Sequence, residues 1–64
     1  MIGKLKLLDT EKEYGIIKAG LIDYYFPKKD ARSFYDLRVG GSVSFESYHT
    51  LRGFRARVVN LSAV

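Results

Sequence analysis

Residues 12–28 read KEYGIIKAGLIDYYFPK, and this stretch decides the fold. It contains two short runs of β-branched and aromatic residues, one on each side of Lys18-Ala19-Gly20. Alternating runs of this kind, bounded by turn residues, are typical of strands. Gly20 can take the positive φ of a tight turn, and Pro27 ends the second run because it has no N–H for a ladder hydrogen bond. The stretch therefore predicts a β-hairpin with a tyrosine on each strand.

Three further strands are predicted outward from this hairpin. Before it, residues 4–7 alternate until Leu8 breaks the period, which predicts a bulge or bend. After it, residues 42–46 alternate with Val43 and Phe45 facing inward. Residues 54–61 form the last predicted strand, with Arg55 and Arg57 on one face and Phe54, Ala56 and Val58 on the other. Residues 28–37 predict a helical turn or loop, and residues 48–53 a polar loop.

This pattern of five short strands predicts an all-β fold. The longest connection lies between the third and fourth strands, as in a five-stranded antiparallel Greek-key barrel, which protects its edge strands by partial closure. An open Sm-like or SH3-like barrel is the alternative that periodicity leaves open. At 64 residues the chain has room for one small core, so we expect a single domain over residues 1–64.

Composition excludes several classes of site. The chain has no cysteine and one histidine, so it offers neither a disulfide nor a thiolate metal site, and we expect no metal and no cofactor. His49 has no acidic partner at a persuasive spacing and no nucleophile elbow is present, so we expect no enzyme. Lysines interrupt the first apolar residues, so we expect no signal peptide. No apolar run approaches the roughly 20 residues of a membrane helix. These features predict a cytoplasmic protein without a membrane partner.

The charge distribution favours a polyanionic partner. The net charge is +4 and the pI about 9.6, and from Ser47 onward the chain has three arginines, Arg52, Arg55 and Arg57, but no carboxylate. Such a patch can contact phosphates, and arginine also stacks on bases. The alternative is a solvated edge strand that charge protects from aggregation.

Several short motifs, in order along the chain, resemble those of one known family. GKLK at residues 3–6 resembles the G-x-V-K of that family, EKEYGII at 11–17 resembles E-K-G-F-G-F-I, and DYYF at 23–26 resembles D-V-F-V. FYDL at 34–37 with VGGSVSF at 39–45 resembles F-x-x-L-x-x-G-x-x-V-x-F, and LRG at 51–53 resembles the N-R-G turn. Together these motifs resemble the cold-shock domain, a nucleic-acid-binding version of the OB-fold. The resemblance implies an OB-fold that binds single-stranded RNA or DNA with little base specificity.

The resemblance also implies which residues contact bases. It gives Tyr14 and Tyr25 as stacking positions, with Phe34 as a third, whereas cross-strand packing is the structural alternative for the tyrosines. Phe54 stands where the family usually has proline, so it is either an added stacking residue or an apolar cover. The full predicted nucleic-acid-binding set is Lys4, Lys6, Lys12, Tyr14, Tyr25, Phe34, Arg52, Phe54, Arg55 and Arg57.

Departures from the family pattern support a second hypothesis. Leu7 stands where the family has an exposed tryptophan, Ile16 where it has a phenylalanine, and Pro27 where it has histidine. Each lost platform removes roughly 1–3 kcal/mol of stacking. The alternative function is therefore an OB-fold module whose Leu7, Ile16 and Pro27 face binds a protein partner, with weak or no nucleic-acid binding.

Overall fold

Five strands and two 3-10 helices account for most of the structure, a computed structural model that describes residues 1–62. The strands are β1 (Ile2–Asp9), β2 (Tyr14–Ala19), β3 (Ile22–Pro27), β4 (Ser42–Thr50) and β5 (Gly53–Leu61). The helices, Lys28–Asp30 and Phe34–Asp36, lie in the connection from β3 to β4. The last two residues of the predicted 1–64 domain lie outside the described residues.

The strands close into a barrel in the order β1-β2-β3-β5-β4, with β4 pairing back to β1. This order fits the OB-fold and confirms the predicted all-β barrel. The prediction of purely antiparallel pairing is wrong at one seam, because β3 and β5 run parallel where Tyr25 lies opposite Arg55. The other four strand pairs are antiparallel.

The barrel interior is filled by side chains from alternate residues of the strands. Tyr24 and Phe26 of β3 face inward. Val43 and Phe45 of β4 are also buried, which confirms the prediction for strand four. The whole core consists of Leu5, Ile17, Tyr24, Phe26, Phe34, Leu37, Val43, Phe45, Ala56 and Val59. Gly15 allows this packing, because a Cβ there would lie 2.5 Å from the Phe26 ring. Hence β2 packs directly against the largest fully buried side chain.

The predicted hairpin over residues 12–28 forms, but its turn lies slightly further along the chain than the predicted Lys18-Ala19-Gly20. β2 extends to Ala19, which pairs with Ile22 of β3, so the turn is Gly20-Leu21. Gly20 has a φ of 66°, the left-handed conformation that glycine adopts without strain.

Two bulges change which residues face inward. In β1 the register shifts between Leu5 and Leu7, so the bulge lies at Lys6 and not at Leu8, and Leu7 is 38% exposed instead of sharing the inward face of Leu5. In β5, Val58 has a φ of 52° and is exposed, while Val59 is fully buried. The prediction that Val58 shares a face with Ala56 is therefore wrong, since the extra residue reverses the alternation.

The predicted polar loop at residues 48–53 is mostly strand. β4 continues through Thr50, and only Leu51 and Arg52 separate it from β5. Thr50 stabilises this tight turn, because its hydroxyl donates to the Gly53 carbonyl at 3.0 Å and accepts the Arg52 N–H at 3.1 Å. The longer strands bring Tyr48 into the sheet.

Candidate nucleic-acid interface

Outward-facing residues on all five strands form one row across the barrel. Leu7 lies opposite Ile16, Ile16 opposite Tyr25, Tyr25 opposite Arg55, and Arg55 opposite Tyr48. Neighbouring strands lie about 4.8 Å apart, so the four steps of this row span roughly 19 Å. The row is apolar at the β1 end, and tyrosine alternates with arginine toward β4.

Aromatic and guanidinium groups contact one another along this row. Tyr14 stacks on Tyr25, with ring centroids 5.5 Å apart and planes 27° from parallel. The Arg55 guanidinium lies 4.6 Å from the Tyr25 ring centroid, and the Arg57 guanidinium 5.3 Å from that of Tyr48. Cation–π contacts of this kind hold guanidinium planes against rings. We name Tyr14, Tyr25, Tyr48, Arg55 and Arg57 the tyrosine–arginine face.

The predicted arginines are brought together by the β4–β5 hairpin. Arg52 lies in the turn, and with Arg55 and Tyr48 it lines a shallow depression. Arg57 lies 3.4 Å from the Glu46 carboxylate through Nε, and more than half of each side chain is exposed. No ion pair to Arg52 or Arg55 occurs among residues 1–62. These two guanidinium groups are thus available to a phosphate.

Phe54 combines the two roles weighed for it. Its ring packs edge-on against the core residue Tyr24, with centroids 5.7 Å apart, and stacks on His49 at 4.7 Å. Phe54 nevertheless remains 42% exposed. Phe54 therefore covers the barrel and leaves an aromatic surface accessible.

The predicted lysines lie at three separate places. Lys12 is in the β1–β2 loop close to Tyr14. Lys6 is in the β1 bulge, where Nζ donates to Asp23 at 2.8 Å. Lys4 pairs with Lys18, four residues from Tyr14 along β2, which is about 13 Å. Lys4 therefore lies toward the far end of the ladder, away from Tyr14 and apart from the other predicted contacts.

Phe34 is the clearest correction to the predicted site. It is 3% exposed, in the second 3-10 helix, and its ring packs edge-on against Phe26 with centroids 6.3 Å apart. A ring enclosed in this way cannot stack on a base. Phe34 belongs to the core instead, where its helix covers the barrel.

A groove beside Tyr14 contains a network that the sequence interpretation missed. We name it the Glu13 groove; it is lined by Lys12, Glu13, Pro27, Lys28, Lys29, Ala31, Ser33, Phe34 and Tyr35. The Glu13 Oε2 accepts hydrogen bonds from the Tyr35 hydroxyl at 2.8 Å and from Lys28 Nζ at 3.0 Å. These bonds lower the pKa of the Glu13 carboxyl and raise that of Lys28. The groove thus presents a carboxylate at neutral pH.

Tyr48 is the second omission from the predicted site. The polar run Tyr48-His49-Thr50 suggested a loop, yet tyrosine and threonine favour strands, and this preference could have placed Tyr48 on the sheet. The Glu13 network had no comparable signal, because it joins residues 15 and 22 positions apart.

The structure gives no sign of a metal site or a membrane span within residues 1–62. No group of three or more potential metal ligands occurs there, and no helix there is long and apolar enough to cross a membrane. No protein-family model matches the chain, and no curated protein matches it.

Proposed function

We propose that this protein binds single-stranded RNA or DNA through the tyrosine–arginine face, as a cold-shock-like OB-fold domain. Bases stack on Tyr14 and, once the Arg55 guanidinium moves from the Tyr25 ring to a phosphate, on Tyr25. Arg52 also contacts phosphates. The protein acts in the cytoplasm, as a binding module and not as an enzyme. Binding shows little sequence preference at most positions, because stacking and charge do not depend on base identity.

The observation that supports this proposal is the row of Tyr25, Arg55 and Tyr48 in register across three strands. Tyrosine side chains in a purely structural role do not need neighbouring arginines that lack a carboxylate partner. Here Arg55 lies over Tyr25 and has no carboxylate partner among residues 1–62. A base that stacks on the tyrosines and a phosphate at Arg55 and Arg52 would satisfy both groups together.

The test is a fluorescence anisotropy titration of labelled seven-nucleotide uridine and thymidine strands at low salt. We expect micromolar binding that weakens as salt rises, because bound phosphates displace counterions. A net-neutral labelled polymer of similar size serves as the control. Absence of binding to both strands at low salt would reject the proposal.

The alternative function, binding of a protein partner, has one observation in its favour. Leu7 is 38% exposed and lies opposite Ile16, so an apolar pair occupies the β1 end of the row. Pro27 lies further along, opposite Tyr14. This hypothesis predicts that nucleic-acid affinity is weak or absent and that Leu7→Ser leaves the remaining affinity unchanged.

A further inference from the structure

The backbone at Glu13 is strained in a way that favours a different residue. Its φ is 59°, the left-handed region that glycine occupies most easily. A non-glycine residue in this conformation costs roughly 1–2 kcal/mol. Strain of this kind at an exposed loop position is often associated with function. The side chain of Glu13 is therefore the feature to explain.

The network around Glu13 leaves one of its oxygens unused. Both hydrogen bonds from Tyr35 and Lys28 end on Oε2, and Oε1 has no hydrogen-bond partner among residues 1–62. The side chain is 47% exposed. Tyr35 and Lys28 thus fix the carboxylate plane, while Oε1 can still accept two hydrogen bonds from a ligand.

The surroundings of Oε1 suit a base. The groove has a volume of about 660 Å³, and Pro27, Ala31 and Phe34 give it an apolar surface. Lys12 and Lys29 also line it, so positive charge is available for the adjoining phosphates. A flat apolar ring with polar edges fits such a site better than a free phosphate, which the carboxylate would repel.

Carboxylate chemistry distinguishes among the bases. Guanine presents two adjacent donors, N1–H and N2–H, on its Watson–Crick edge. Adenine and cytosine present an amine beside a ring nitrogen whose lone pair repels a carboxylate, and uracil presents one N–H between two carbonyl oxygens. Single-stranded bases are commonly recognised on this edge.

We infer that the Glu13 groove binds a guanine base, whose N1–H and N2–H both donate to Oε1 of Glu13. This inference rests on the proposed function, because it assigns one base-selective position within an otherwise unselective strand. Tyr35 and Lys28 act as positioning residues that hold the carboxylate. Glu13 is thus a specificity determinant, and the tyrosine–arginine face supplies the general affinity.

The experiment compares three seven-nucleotide RNA strands: all uridine, uridine with one central guanosine, and the same strand with inosine. Inosine differs from guanosine only by the missing N2 amine. We expect the guanosine strand to bind wild type at least about fivefold more tightly than the other two, since hydrogen bonds to charged groups are the stronger ones. An unselective protein can shift along a short strand, so a central guanosine can reach the groove.

Two variants test whether the Glu13 carboxylate causes the guanosine preference. Glu13→Gly should fold about as stably as wild type, because the relieved backbone strain offsets the lost bonds to Tyr35 and Lys28. It should lose the guanosine preference. Glu11→Gln is the matched control: it removes the same charge in the same loop and should keep the preference. Binding is compared as ratios between strands, so that a general charge effect cancels.

Each outcome decides between the two proposals. Equal binding of all three strands to wild type would overturn the guanine inference and leave the proposed function standing. A guanosine preference that survives in Glu13→Gly would also overturn the inference. If no strand binds wild type, the proposed function fails, and the inference fails with it.

Discussion

The residue pair Glu13 and Lys28 links stability to pH. The pKa of Glu13 is lowered from 4.5 by the Tyr35 hydroxyl and by Lys28, so its contribution is present above pH 4.5 and is lost as pH falls through the lowered value. The pKa of Lys28 is raised from 10.5, chiefly by its hydrogen bond to Glu13, so its contribution is present below pH 10.5 and is lost as pH rises through the raised value.

We therefore predict that Glu13→Gln lowers the Tm most between pH 4.5 and 10.5. The difference from wild type should shrink at both more acidic and more alkaline pH, as well as in high salt, because the pair is exposed. Thermal melts across pH, with Glu11→Gln as the control, measure this. A Tm difference that stays constant from pH 2 to pH 7 would contradict the prediction.

The two stacked tyrosines give a second prediction at the residue scale. Tyr14→Ala and Tyr25→Ala should each weaken oligonucleotide binding by about 1–3 kcal/mol, the value of one stacked base, which corresponds to roughly 5- to 150-fold. Tyr25→Phe keeps the ring and serves as the control. Circular dichroism checks that the fold is intact. Unchanged affinity in both alanine variants would assign the tyrosines to cross-strand packing alone.

At the scale of the elements, alternation predicted strands well and failed where the backbone departs from it. Val43 and Phe45 alternate with serines, and their burial follows directly from the pattern. The bulges at Lys6 and Val58 add one residue to a strand, and no residue type marks that insertion. Phe34 was misplaced because its environment depends on a 3-10 helix that folds over the barrel, which is a tertiary feature.

For the candidate site, the sequence predicted which side chains face outward but not which of them contact one another. Tyr14, Tyr25 and Arg55 lie on regular strand segments, so their outward direction follows from alternation. Their mutual contacts depend on the parallel pairing of β3 with β5, which joins segments 30 residues apart. No local pattern in the sequence specifies that pairing, and hence the arginine over the tyrosine could not be foreseen.

The β5 bulge leads to a stability prediction. Val58 is β-branched and holds a φ of 52°, a conformation that valine adopts only at a cost. Val58 is 44% exposed, so its truncation removes much less burial than truncation of the fully buried Val59. Val58→Gly should therefore stabilise the protein by about 1 kcal/mol, the approximate cost of the left-handed conformation.

Urea unfolding measures the Val58→Gly effect, and two variants calibrate it. Val39→Gly is the control at an exposed valine without positive φ, where glycine should be neutral or destabilising. Val59→Gly removes a fully buried side chain and should destabilise strongly. A Val58→Gly protein less stable than wild type would mean that the side chain packs more than its exposure indicates.

At the scale of the whole molecule, the row of paired residues crosses all five strands without a gap, but its side chains change from aliphatic at β1 to aromatic and basic toward β4. Its β1 end carries Leu7, an exposed aliphatic residue in register with Ile16 and then Tyr25. If the same surface contacts a strand of nucleic acid along its whole length, an aromatic residue at this end should add one stacking platform.

Leu7→Trp should then tighten oligonucleotide binding by roughly 1–3 kcal/mol. Tryptophan fluorescence, absent from the wild type because the chain has no tryptophan, reports contact with the base directly. Leu7→Ile is the aliphatic control. A well-folded Leu7→Trp protein without any gain would favour the protein-partner hypothesis for the apolar end of the row.

The parallel seam between β3 and β5 has a consequence for motion. Of the residues that the structure describes, only Tyr25 and Arg55 pair directly between β3 and β5, and the next bridge to β5 comes from Ala31, beyond the end of β3. The same two side chains belong to the proposed binding surface. A bound nucleic-acid strand would therefore bridge the strand pairing that has the fewest residue pairs in the barrel. Amide hydrogens of β3 and β5 near this pairing should then exchange with solvent more slowly than in the free protein.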